Sequence, residues 1–148
     1  MPGEEVMPDG NELAGRAEFF SLGTVQASSD GRLLAYATDY LGNERFTLRV
    51  KDLVTGETEP DEIPDTYYGC AWSADASALF YITVDEAWRP YRIWRHLIDT
   101  PAAQDVIVFE ERDEKFLASV ALSRSERYLV ISSTTSRTRC CRTGPTGC

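Results

Sequence analysis

The stretch Ser28-Ser29-Asp30-Gly31-Arg32-Leu33-Leu34-Ala35-Tyr36 decides the fold. A polar turn passes directly into an apolar run. Ser and Asp side chains bond their own backbone in a tight turn, and glycine takes a positive φ at no steric cost. The run after it reads as a buried strand. The same plan returns at Trp72-Ser73-Ala74-Asp75-Ala76-Ser77-Ala78-Leu79-Phe80-Tyr81. It returns again, more weakly, at Leu122-Ser123-Arg124-Ser125-Glu126-Arg127-Tyr128-Leu129-Val130-Ile131. The serines Ser28, Ser73 and Ser123 lie 45 and then 50 residues apart. Ala76 replaces the glycine in the second copy, and Ser125-Glu126 replace Asp-Gly in the third.

Strand signals fill the intervals. Phe46 to Leu53 and Tyr91 to Leu97 alternate apolar and polar, the mark of a half-buried strand. Val54-Thr55-Gly56-Glu57 is a turn, and Val106 to Phe109 reads as a short buried strand closing the second unit. Strands are expected near 33–39, 46–52, 79–84, 91–96 and 128–132. Between Asn11 and Phe19 there is room for one helical turn at most. A repeat of roughly 40–50 residues with short strands is the length of a β-propeller blade. A β-sandwich has no reason to reproduce one turn-strand motif at that interval. The expected fold is therefore all-β, a partial propeller of about two four-stranded antiparallel blades and the start of a third. Residues 1–20 form a lead-in, 21–136 an incomplete propeller domain, and 137–148 a non-native or disordered tail.

The composition, with 43% hydrophobic and 26% charged residues in 148, suits one water-soluble domain with a core. A net charge of -9 argues against nucleic acid, because phosphate binding needs clustered Lys and Arg. An acidic surface favours solubility and attracts basic peptides. The apolar runs fall far short of the ~20 residues that span a bilayer. Met1 to Val6 shows neither a basic nor an apolar leader region, so the cytoplasm is the expected compartment.

Catalytic chemistry is hard to place. No Gly-x-Ser-x-Gly occurs, and a serine hydrolase needs a nucleophile, a base and an orienting carboxylate. The one histidine, His96, falls on an expected strand and reads as a residue with a satisfied hydrogen bond. Cys70 reads as a small buried hydrophobe. Cys140, Cys141 and Cys148 match no zinc spacing and have no histidine nearby. The carboxylates Asp85-Glu86, Glu110-Glu111, Asp113-Glu114 and the run from Glu57 to Glu62 are expected to be solvated loop charge. Gly31, Gly42, Gly56 and Gly69 are isolated turn glycines rather than a phosphate loop. Trp72, Trp88, Tyr91 and Trp94 are expected to pack within blades. The residues name no catalytic group, no cofactor-binding group and no metal ligand.

Asp85-Glu86-Ala87-Trp88-Arg89-Pro90-Tyr91-Arg92-Ile93-Trp94-Arg95-His96, continued by Thr100-Pro101 to Asp105 and by Val108 to Glu111, resembles the oligopeptidase B branch of the prolyl oligopeptidase family of serine peptidases. Asp9 to Ala14 is similar to the segment that leads into that family's first blade. The resemblance runs from about Glu4 to Ser136. It implies a seven-bladed propeller that covers an α/β-hydrolase active site and admits short peptides, which are cleaved after Arg or Lys. None of the family's catalytic positions matches this stretch, so no catalytic residue is carried over. The implied partners are the missing hydrolase domain, the remaining blades and, for the parent enzyme, short basic peptides. The chain alone is expected to be inactive, with no cofactor, nucleic-acid or membrane partner. The alternative is a free-standing propeller-type module that binds protein, which would close its ring or end on a capping element. This sequence is expected to stop inside a blade.

From Arg137 to Cys148 the character changes: three cysteines, three arginines and no aliphatic residue. A shift of reading frame near Ser136 is one expectation. A GC-rich back-translation of Ser136 to Cys148, read one frame over, gives a strand and a Pro/Gly turn.

Overall fold

In all three repeats the turn serine closes the same ring. Ser28, Ser73 and Ser123 donate their N–H groups to the carbonyls of Leu33, Ala78 and Tyr128, at 2.8, 2.9 and 2.8 Å. Those residues return their own N–H to the serine hydroxyls, at 3.0, 3.0 and 3.1 Å. The residue three after each serine is left-handed, with φ of 71° at Gly31, 58° at Ala76 and 57° at Glu126. Copies two and three thus hold the same left-handed backbone without a glycine. Asp30 and Asp75 accept from the turn serine at 2.5 and 2.7 Å, and Ser125 takes that place in the third copy.

These turns organise the sheets. The structure, a computed structural model, describes Gly15, residues 19–60 and residues 62–135. Strands β1 (Ser21–Ala27), β2 (Leu33–Asp39), β3 (Phe46–Asp52) and β4 (Ile63–Thr66) form one antiparallel sheet in chain order. Strands β5 (Cys70–Trp72), β6 (Ala78–Val84), β7 (Pro90–Leu97) and β8 (Val106–Glu110) form the second, also in chain order. Strands β9 (Phe116–Leu122) and β10 (Leu129–Thr135) pair as the start of a third. Each repeated turn joins the first two strands of its sheet. No α-helix occurs among the described residues, and a single 3-10 turn covers Ala102–Gln104.

Packing follows the period-two alternation. On β5, β6 and β7 the residues Cys70, Trp72, Leu79, Tyr81 and Trp94 face the first sheet. There they join Leu33, Ala35, Phe46, Leu48, Val50 and Ile63 in one cluster. The opposite face, with Ala71, Phe80, Ile82, Ile93 and Phe109, packs on Ala118, Val120, Leu129 and Ile131. The second blade is therefore covered on both faces.

Some expectations fail. The strand at Val106 to Phe109 exists, but as the exposed β8: Val106, Ile107 and Val108 are 43%, 43% and 39% exposed. It is the last strand of its blade, with one sheet neighbour, at the rim where radiating blades diverge. Trp88 does not pack within a blade. It sits in the β6–β7 loop with φ 61°, 40% exposed, with the Arg45 guanidinium 5.0 Å above its ring. The third-blade strand begins at Leu129 rather than Tyr128, because Tyr128 completes the turn. The possible helical turn at Asn11 to Phe19, except Gly15 and Phe19, and the segment 136–148 lie outside the described residues.

Candidate functional site: the inner strands and the blade seams

The first strands of the three sheets, β1, β5 and β9, stand side by side. Two hydrogen bonds join the first pair. The Trp72 indole donates to the Gln26 carbonyl at 2.8 Å, and Gly69 N–H donates to Thr24 Oγ1 at 3.0 Å. Trp72 is 1% exposed, so its burial and its one polar atom are both satisfied across the seam. Gly23, at a bulge in β1, lies against Phe46: a Cβ there would meet the ring at 2.5 Å. A cavity of about 480 Å³ opens where the three inner strands end in their turns, with Gln26, Ser28, Cys70, Trp72, Val120 and Glu126 on its wall. Cys70 is buried there, and burial pushes its thiol up to about 12, so it stays protonated and unreactive.

The seam between the second blade and the third is held by Arg89. Its guanidinium donates to the carbonyls of Glu111, Asp113 and Phe116 at 3.3, 3.0 and 3.0 Å, and its Nε donates to Asp85 at 3.0 Å. Burial alone would raise the Asp85 carboxyl. The N–H groups of Arg89 and Ala87 and the Arg89 guanidinium outweigh it and hold the group below its usual range. Asp85 is therefore an anchor of the loop and not the free surface charge its sequence suggests. Glu110 is likewise engaged, by Arg92 at 2.7 Å, and Glu62 by Arg49 at 2.8 Å.

His96 is 4% exposed and has the hydrogen bond its strand position implies. Nδ1 lies 2.8 Å from Asp105 Oδ1, and the Tyr81 hydroxyl donates to Asp105 Oδ2 at 2.9 Å. Burial, then the bond to Asp105, keeps the Tyr81 hydroxyl protonated far above the usual phenol range. Sequence reasoning did not foresee this trio. Its members come from β6, β7 and the approach to β8, and no spacing marks them. A histidine and an aspartate alone do not make a hydrolase: no hydroxyl or thiol bonds His96 among the described residues. No group of three or more His, Cys, Asp and Glu among the described residues could hold a metal. No helix among them is long and apolar enough to cross a membrane.

Consecutive four-stranded sheets, stacked face to face with their first strands together, define a β-propeller. Residues 1–146 match the family described as prolyl oligopeptidase, N-terminal beta-propeller domain. The chain belongs to that family. It is 38% identical over 131 residues to dipeptidyl aminopeptidase BI of Pseudoxanthomonas mexicana, covering 88% of this chain and 18% of that protein. Against protease 2 of Moraxella lacunata the identity is 36% over 137 residues, covering 91% and 20%. Oligopeptidase B from Leishmania major superposes with a TM-score of 0.83 at 29% identity, over 90% of this chain and 19% of that one. Oligopeptidase B from Trypanosoma brucei, solved with covalently bound antipain in a closed form, gives 0.79 at 31% identity, again over 90% and 19%. The chain thus spans about a fifth of the length of these relatives and corresponds to part of the N-terminal propeller domain of oligopeptidase B-like peptidases.

Proposed function

We propose that this chain is a gating segment: the first blades of a propeller that screens peptides for an oligopeptidase B-like serine peptidase cleaving after Arg or Lys. The observation that carries the reading is the pairing of a complete propeller seam with no nucleophile on it. Trp72 and Gly69 tie the β5 side to β1, and β9 stands beside β5. The histidine that is present is buried away between strands, and Cys70 is protonated. A wall on which the described residues pair no nucleophile with a base suits a screening role. In this reading the partners are an α/β-hydrolase domain, further blades and short basic peptides, and residues 21–136 are the propeller part. The acidic balance of -9 suits the passage of basic substrates.

The test is a chimera in which this chain replaces its equivalent in protease 2 of Moraxella lacunata. It should cleave short Arg- and Lys-containing chromogenic peptides and leave folded proteins intact. The 148-residue chain alone should turn over neither. A folded chimera that digests casein, or turnover by the pure chain that a serine-directed phosphonate abolishes, would overturn the assignment.

A further inference from the structure

The connections between strands open on two faces of the stacked blades. The entry to β1 and the loops 40–45, 67–69, 85–89 and 111–115 share one face. The repeated serine turns and the loops 53–60 and 98–105 share the other. The two faces differ in chemistry. Phe19, Phe20, Tyr40, Tyr67, Tyr68 and Trp88 all stand on the first, with Leu41 and Arg45 among them. On the second, Tyr128 is the only aromatic residue among the described loops, and Ser-Asp turns and the acidic Glu57 and Glu59 fill it.

Leu41 is 82% exposed, and the loop that carries it is held at almost every step. One oxygen of the buried Asp39 accepts the N–H groups of Leu41 and Gly42 at 2.7 and 2.9 Å, and the other accepts that of Glu44 at 2.9 Å. Arg45 N–H donates to Asn43 Oδ1 at 3.0 Å. Gly42 and Glu44 are left-handed, with φ of 72° and 57°, and the Phe19 ring lies against Gly42. A leucine on a slack loop folds back under its neighbours, whereas this one is kept in water. The β6–β7 loop repeats the device. Asp85, just past β6, accepts the N–H groups of Ala87 and Arg89 at 2.9 and 3.0 Å, and the loop presents Trp88. Arg45 joins the two loops, with its guanidinium over the Trp88 ring and 3.8 Å from Asp65. Side chains presented in fixed geometry lose little freedom when a partner covers them. Aromatic residues and Arg are also the types that protein interfaces concentrate.

We propose that this face docks on the hydrolase domain of the parent peptidase, with Leu41 and Trp88 as its anchors. The inference rests on the peptidase reading above. The chain reaches β1 through this face, where the Phe20 and Tyr40 rings meet at 5.5 Å, so the polypeptide that precedes the blades is tethered there. The chain spans 18% and 20% of its two curated relatives, so most of the peptidase lies outside these blades. The anchors come from two blades, which suits a domain rather than a single side chain. The charged loop 111–115 borders them toward the third blade, as a polar rim borders an apolar interface. The face of serine turns is left to solvent.

Photo-cross-linking in the chimera tests the docking. p-Benzoylphenylalanine is placed at Leu41, at Trp88 or, on the opposite face, at Val54, which is 76% exposed. Irradiation should join positions 41 and 88 to hydrolase peptides of the same chain and leave position 54 unlinked. Links between two copies, or only to an added Arg-containing peptide, assign the face to those occupants and sink the proposal. Leu41→Ser and Val54→Ser each remove an exposed side chain, so neither disturbs a core. In the chimera, Leu41→Ser should speed hydrogen exchange of the linked hydrolase segment by about tenfold, the loss expected for one covered leucine. Val54→Ser should leave it unchanged, and equal exchange in the two variants refutes the anchor. The docking and the gating role fail separately. A chimera that cleaves short peptides without the links refutes the docking, one that forms the links and digests casein refutes the gating, and one that neither links nor cleaves refutes both.

Discussion

At the scale of single residues, the repeated turn makes the sharpest predictions. Gly31, Ala76 and Glu126 share one left-handed position, and an L-residue pays roughly 1–2 kcal/mol there relative to its preferred region. A Cβ on Gly31 would meet nothing within 4 Å, so Gly31→Ala isolates the backbone cost. It should lower stability by about 1 kcal/mol. Glu126→Gly should raise stability by less, because glycine also gains freedom in the unfolded chain. Urea unfolding of the two variants checks the pair, and the opposite order of stabilities would refute it. Asp75 accepts from the Ser77 hydroxyl, the Ser73 hydroxyl and the Ser77 N–H, which hold its carboxyl down to about 2. Its unfolded value is about 4. The contribution is therefore fully present above about pH 4 and is lost as pH falls through about 2. Asp75→Asn should be less stable than the parent at pH 7, and the difference should shrink steeply between pH 4 and pH 2. A constant difference across that range would rule out the linkage.

At the scale of elements, Arg89 ties the second blade to the segment that opens the third. Arg89→Met should leave three carbonyls without their donor and loosen residues 111–122, while residues 33–52 stay unchanged. Hydrogen exchange read by peptide separates the two regions, and uniform protection would count against the anchor. Trp72→Phe, which keeps much of the bulk but strands the Gln26 carbonyl, should cost about 1–3 kcal/mol. The elements themselves were unevenly legible. β3 and β7 alternate strictly, and β2 and β6 follow a turn that announces them, so sequence places these four within a residue or two. β4 was invisible: Ile63-Pro64-Asp65-Thr66 has four residues, a proline and a positive φ of 59° at Asp65, and pairs only because β3 offers a free edge. β8 is legible as a strand but not as an exposed one, since Val-Ile-Val looks alike in a core and on a rim. β9, Phe116 to Leu122, has no turn motif ahead of it to announce it.

At the scale of the whole molecule, the gap between motif and chemistry explains what sequence could tell. A repeat is visible because each blade solves the same packing problem. The trio of Tyr81, His96 and Asp105 was not visible, because three distant positions meet only once the sheet has formed. The opposite problem arises on the third blade, where β9 and β10 have a covered face and a bare one, with Tyr128 66% and Val130 43% exposed. Bare blade faces and open strand edges favour association. The isolated chain should therefore be poorly soluble or loosely packed, and a sharp cooperative melt of a monomer by calorimetry would contradict this.

The order of the sheets has one more consequence. Each strand of a blade pairs with the strand made just before it, and no described sheet borrows a strand from later in the chain. During synthesis the first blade can therefore close while the second is still inside the ribosome. Trp72 then emerges to find the Gln26 carbonyl already in place. Over the described residues growth is a matter of laying each finished panel on the last, with no strand held in reserve.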